Sequence, residues 1–269
     1  MKTNAEKPKR RIAVGRIILF LILPVVLILG ILHGIRLKLI YDGKIVANIP
    51  DPEKYPVCGV DVSRYQGNID WDVLASQNVT FAFIKATEGS SHQDPCFAYN
   101  WKEARKNGVY AGAYHFFSYE SSGATQAQNF IETVGNSEGT LPPVVDLEFY
   151  GDYYAEPASK QDTRKILDDL LDALEAHYGC KPIIYTTARA YYSYILGGSY
   201  GQYPIWMRDT YMEPIVRWKF WQYSDEGQLA GYDGVQSDSL EKYIDLNVYN
   251  GSYERFLQEF ALPPREEQE

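Results

Sequence analysis

Between Ile17 and Leu32 the chain reads IILFLILPVVLILGIL without a charge. Extended to Ile35, the run measures roughly 28 Å as a helix, close to the hydrocarbon thickness of a bilayer. No polar face is available for a soluble helix, and Pro24 is tolerated in a membrane span. A cleaved signal peptide is the competing reading, but it calls for a shorter apolar stretch and a small-residue cleavage site. Here His33, Arg36 and Lys38 follow instead. The run is therefore read as an uncleaved signal-anchor. Lys/Arg cluster before it, which keeps the N-terminus cytoplasmic and sends the remainder outside. The expected organisation is a basic cytoplasmic tail (1–16), a transmembrane anchor (17–35), a stalk (36–56) carrying Pro50, Pro52 and Pro56, a catalytic barrel (57–262) and a short tail (263–269). The protein is then single-pass in the cell membrane, with its catalytic domain extracytoplasmic.

Charge divides the chain in the same place. Residues 1–40 hold eight Lys/Arg against Glu6, a balance of +7, so the remainder carries −16 of the formal −9. An acidic remainder without a basic stripe argues against a nucleic-acid partner. Cys58, Cys96 and Cys180 show no metal-ligand spacing and no disulfide framework, and are expected as buried small hydrophobes. The four His are scattered. Serine-hydrolase, zincin, phosphate-loop and dinucleotide signatures are absent, so neither metal nor cofactor is expected.

Past the stalk, short β-rich runs fall at 57–62, 80–85, 109–115, 143–148, 182–187, 204–207, 217–223 and 242–247. Helical periodicity lies between the early ones, at Asp70–Gln77, Cys96–Asn107, Ala124–Val134 and, most clearly, Lys160–Tyr178, where Gly179 and Pro182 supply the stop. A last helical pattern covers Tyr253–Phe260. This alternation predicts an α/β fold: an irregular (β/α) barrel of eight strands with helices missing in its second half.

The chemistry concentrates in PPVVDLEFYGD, residues 142–152. Strand alternation points Val144, Asp146 and Glu148 one way and Val145, Leu147 and Phe149 the other. The two acids precede Tyr150-Gly151 and so fall at the strand's C-terminal end, where barrels build active sites. Neighbouring carboxyls raise one another's pKa, and a protonated acid beside an ionised one serves glycoside cleavage. Alone, D-x-E is a weak signal. Asp61 in GVDVSRYQG and Asp245 in YIDLNVYNG also fall near strand ends. They either converge on the same rim or organise loops through backbone N–H groups. Tyr114, Tyr185, Trp206 and Trp221 lie at or near strand ends, where they either stack on sugar rings or fill the core. His115 and Lys85 are candidate carboxylate partners or plain structural residues.

The segments GVDVSRYQGNIDW, FAFIKATEG, AYNWKEARKNGVYAGAYHFF, VVDLE, KPIIYT, RWKFWQYS and YIDLNVYNG occur in that order. Together they resemble the glycoside hydrolase family 25 lysozymes (N-acetylmuramidases) over about residues 57–260. The resemblance implies a flattened (β/α) barrel that cuts peptidoglycan between N-acetylmuramic acid and N-acetylglucosamine with retention. It implies Asp146 and Glu148 as the D-x-E pair with Glu148 as general acid, and matches Asp61 and Asp245 to the family's first- and last-strand acids. Asp146 would orient the substrate's 2-acetamido group or act as nucleophile. One departure stands out: in PIWMRDTY, Arg208 occupies a position where a smaller residue is usual. A catalytically inactive glycan-binding barrel and a glycosidase for another 2-acetamido sugar polymer are the alternatives.

Overall fold

A computed structural model describes residues 9–136, 138–232 and 242–264. The outer parts of the two expected tails, 1–8 and 265–269, lie outside the described residues. The chain forms two compact units, Met1–Ala47 and Asn48–Glu269.

The first unit is a helix, α1 (Lys9–Tyr41), with Pro24 inside it. Its stretch Ile22–Tyr41 has mean hydropathy 2.0 and is exposed along most of its length, Ile40 being buried, so it is long and apolar enough to cross a membrane. The helix continues past the expected boundary at Ile35 because no breaker intervenes before Asp42-Gly43, where Gly43 takes φ +68°.

The second unit is a closed barrel. Its early half contains β1 (Cys58–Val62), α2 (Trp71–Ala75), β2 (Phe81–Glu88), β3 (His92–Gln93), α3 (Phe97–Lys106), β4 (Tyr110–Phe116), α4 (Gly123–Val134) and β5 (Val144–Leu147). Then follow α5 (Lys160–Tyr178), β6 (Ile183–Thr187), a short α6 (Ala188–Ala190), β7 (Ile205–Arg208), β8 (Phe220–Gly227), β9 (Ile244–Tyr249) and α7 (Tyr253–Glu259). Eight strands close in the order β1-β2-β4-β5-β6-β7-β8-β9, with β9 returning to β1. The small β3 pairs antiparallel with the end of β2, outside the ring. Neighbours from β1 through β8 run parallel, whereas β9 is antiparallel to both β8 and β1. The direction of β9 departs from a regular (β/α) barrel. Among the described residues, no helix separates β7 from β8 or β8 from β9.

Strand alternation sorts the side chains into two layers. The barrel interior is aromatic: Phe81, Phe83, Tyr185, Trp206, Phe220, Tyr249 and Phe256 pack there with Val144 and Ile183. Gly59 and Gly112 make room for these rings, since a Cβ on either would lie 2.5–2.6 Å from Phe81 or Phe83. The opposite parity, including Val60, Ile84, Val145, Leu147 and Ile184, packs outward against α5's Leu167, Leu170, Leu171 and Leu174. Ser159 caps α5 by accepting from the Asp162 N–H, and Gly179, left-handed at φ +69°, ends it.

Residues 48–56, expected as part of a stalk, are fastened to the barrel. Asn48 Nδ2 donates to the Tyr223 carbonyl at 2.9 Å, and Lys54 Nζ meets Glu213 at 3.0 Å. Tyr55 lies buried against Trp218 and Trp221. The three cysteines are unpaired and half-buried rather than fully enclosed.

Candidate active site

A cleft of about 520 Å³ opens at the rim formed by the C-terminal ends of the parallel strands, and Asp61, Asp146, Glu148 and Asp245 all line it. Strand order explains the convergence. Asp61 is the fourth residue of β1, and its register partner across the antiparallel pair is Asp245, the second residue of β9. Because β9 runs backwards, its beginning reaches the rim where the other strands end. Asp146 is flanked in register by Phe116 of β4 and Tyr185 of β6. Glu148 follows one residue after β5 and is less buried than Asp146.

The carboxyl groups occupy different environments. Asp61, 7% exposed, accepts on Oδ2 from Gln222 Nε2 at 2.8 Å and Asn247 Nδ2 at 2.7 Å, and its carboxyl also hydrogen-bonds that of Asp245. Burial nevertheless raises its pKa. Asp146, also 7% exposed, has a buried Oδ1 without a hydrogen-bond partner among the described residues. Burial first, then the charge of Glu148, push its pKa well above the ordinary carboxylate range. Burial also raises Glu148, while Arg208 and Lys85 oppose that rise. The Asp146/Glu148 pair thus retains protons to higher pH than free carboxyls do.

The floor beneath the acids is a continuous polar network. Tyr185 Oη donates to Gln222 Oε1 at 2.9 Å, Gln222 donates to Asp61, Asn247 donates to Asp61, and Trp206 Nε1 donates to Asn247 Oδ1 at 2.8 Å. Each link fixes the next, so the Asp61 carboxylate is held in one orientation. Gln222 and Asn247 were not singled out from sequence. Strand parity was the available signal, since Asn247 lies two residues after Asp245 and Gln222 two after Phe220.

Tyr114, Tyr185 and Trp206 line the cleft, with Trp206 stacked on Phe83 at 4.3 Å between centroids. Trp221 does not. It is one residue out of phase with Phe220 and Gln222, so it points outward, 1% exposed, against Tyr55 and Trp218. Its Nε1 donates to the Asp209 carbonyl at 2.8 Å. Trp221 is therefore a packing residue of the outer layer, and its expected place in substrate binding is corrected. Tyr154, 57% exposed, joins the cleft wall instead, its carbonyl held by Arg189 at 2.7 Å.

Lys85 lines the cleft and is engaged by Glu88 at 2.8 Å, above the Phe116 ring. His115 faces outward and is fully buried between Thr87 Oγ1 at 2.7 Å and Gln126 Oε1 at 2.9 Å. Burial lowers its pKa to about 4, so it is neutral at physiological pH. Its role is structural: Gln126 also accepts from the Ser118 N–H and so pins the loop after β4.

The model for Glycosyl hydrolases family 25 matches residues 60–232. Lysozyme M1 of Streptomyces globisporus is 33% identical over 221 residues, covering 75% of this chain and 70% of its own. The uncharacterized protein YegX of Escherichia coli (strain K12) is 39% identical over 219 residues, covering 78% and 75%. Among solved structures, a family 25 glycosyl hydrolase from Bacillus anthracis superposes with TM-score 0.71 at 45% identity, covering 78% of this chain and 95% of that one. A bacterial lysozyme from Streptomyces coelicolor gives 0.67 at 32%, covering 76% and 96%.

Proposed function

The chain belongs to glycosyl hydrolases family 25, and from that premise we propose that it is a membrane-anchored lysozyme that cleaves the β-1,4 bond between N-acetylmuramic acid and N-acetylglucosamine in peptidoglycan with retention. The observation that carries the mechanism is the pairing of Glu148, half-buried in the cleft, with an Asp146 whose Oδ1 has no partner among the described residues. Glu148, its pKa raised by burial, keeps its proton to higher pH than a free glutamate and gives it to the glycosidic oxygen as the C–O bond breaks. The carbonyl oxygen of the substrate's own 2-acetamido group attacks the anomeric carbon from the opposite face. The acetamido N–H supplies the partner that Asp146 Oδ1 lacks, which aligns the attack. Water then opens the cyclic intermediate, Glu148 takes its proton, and two inversions give net retention. Asp61, locked by Gln222 and Asn247, shares a hydrogen bond with Asp245 and lines the same cleft, where both are read as substrate-positioning acids. Tyr114, Tyr185, Trp206 and Tyr154 supply ring faces for the sugars.

The test is digestion of purified peptidoglycan by the full chain, with product analysis by mass spectrometry. The expected products carry reducing-end muramic acid, and Glu148→Gln lowers kcat by about 100-fold or more without lowering the melting temperature. Reducing-end glucosamine would refute the bond assignment. An active Glu148→Gln enzyme would refute the acid, and glycan binding without cleavage by the unmutated protein would favour a binding-only barrel.

A further inference from the structure

Arg208 ends β7, two residues after Trp206, and therefore shares its inward parity. Its side chain is 36% exposed and lines the cleft. Asp225 on the neighbouring strand β8 holds it through Nη2. A guanidinium has five N–H donors in a planar fork. Among the described residues, no acceptor other than Asp225 is hydrogen-bonded to this one. The remaining donors border a cleft that Asp61, Asp146, Glu148 and Asp245 also line; Asp61 is committed to Gln222 and Asn247, and the charge of Glu148 acts on Arg208 through space without a hydrogen bond. A cation pinned on one side and open on the other beside the reacting centre suits a planar anion delivered by the substrate.

Resting on the lysozyme reading above, we infer that Arg208 is a specificity-determining residue that binds a carboxylate carried by the muramoyl unit of the glycan. Two sources of that carboxylate exist on such a polymer. One is the lactyl carboxylate, free only where the peptide stem has been removed. The other is a carboxylate of the stem itself. The lactyl group is bonded directly to the sugar ring that the cleft receives, whereas the carboxylates of the stem lie further out along the peptide, so the free lactyl carboxylate is the source we assign. The enzyme then prefers stem-free glycan, and the reaction class that supplies its substrate is hydrolysis of the lactyl–peptide amide.

The experiment uses the full chain in detergent micelles and three muramoyl–glucosaminyl oligosaccharides: lactyl carboxylate free, lactyl group converted to the neutral carboxamide, and stem peptide attached. The unmodified enzyme is expected to favour the free carboxylate over the carboxamide by about tenfold to a hundredfold in kcat/KM. In Arg208→Ala the ratio of kcat/KM on the free carboxylate to that on the carboxamide collapses toward one, through a higher KM for the free-carboxylate substrate. Arg208→Lys restores part of it, because the charge survives without the fork. A merely structural arginine would lower rates on all three substrates together and would not be rescued selectively. A preference confined to the stem-bearing substrate and lost in Arg208→Ala would overturn the lactyl assignment in favour of the stem. Equal ratios in both enzymes would overturn the inference altogether. Failure of the unmodified enzyme on all three would instead overturn the lysozyme reading.

Discussion

At the scale of single residues, the cleft sets catalysis against stability. Folded Asp146 binds its proton more tightly than the unfolded chain does, because burial and Glu148 disfavour its charge. Its stabilising contribution is therefore complete below the unfolded value near 3.8 and is lost as pH rises through the higher folded value. Asp146→Asn removes that loss. The expected outcome is a higher melting temperature than the unmodified protein at neutral pH, with the difference vanishing as the buffer approaches about pH 4, alongside a severe fall in kcat. A variant less stable at neutral pH would refute this account. Glu148 gives a second expectation: its raised pKa places the alkaline limb of the kcat profile above the ordinary glutamate range. Removing the opposing Arg208 charge moves that limb further up, which a pH–rate series on a neutral oligosaccharide measures. Much of this site was legible in the chain. Asp146 and Glu148 were placed by parity on a short apolar strand. The same rule, applied within FWQY, would have turned Trp221 outward and Gln222 inward. Trp221 was misplaced because an aromatic near a strand end suggests a sugar platform, whereas its side is decided by the phase of the neighbouring Phe220.

At the scale of elements, all eight barrel strands were visible as β-rich runs, and α5 ends where Gly179 predicts. The direction of β9 was not visible. Local sequence records which residues alternate, but direction is set by the connection, and here β9 begins at the rim where β8 ends, with no crossover helix between them among the described residues. That reversal puts Asp245 beside Asp61 although it begins its strand rather than ending it. The turn at Tyr191–Ile195 was missed as well, since its wide π-type hydrogen bonding has no strong residue signature. Packing between α4 and α5 depends on one contact that sequence alone does not reveal. A Cβ at Gly123 would meet the Ile166 carbonyl at 2.2 Å and the Leu170 nitrogen at 2.5 Å, and both are backbone atoms that cannot rotate away. Gly123→Ala is expected to destabilise the barrel by about 3 kcal/mol, or about 10 °C in melting temperature. Because α4 lies outside the cleft, kcat at a temperature where the variant is folded should be unchanged. An unshifted melting curve would show that the helices part without cost.

At the scale of the whole molecule, the fastening of residues 48–56 shortens whatever links the barrel to a bilayer. With Asn48 bonded to Tyr223 and Tyr55 buried against Trp218, only residues 42–47 join the end of α1 to the fixed part of the second unit. Fully extended, that connection spans about 25 Å. With α1 anchored as proposed, the cleft can work only on glycan close to the membrane surface, whereas a free stalk over 36–56 would have reached much farther. A flexible Gly/Ser insert of about 30 residues between Ala47 and Asn48 adds roughly 30 Å of root-mean-square reach. Both forms, reconstituted in liposomes, should hydrolyse small soluble muramoyl oligosaccharides at the same rate, because these diffuse to the cleft. Intact sacculi cannot approach a vesicle so closely, so the unmodified chain should lag on them and the extended one should recover, while detergent solubilisation should equalise the two. Equal rates on sacculi before detergent would mean that the short connection does not limit reach, and that residues 48–56 detach from the barrel when the anchor is loaded.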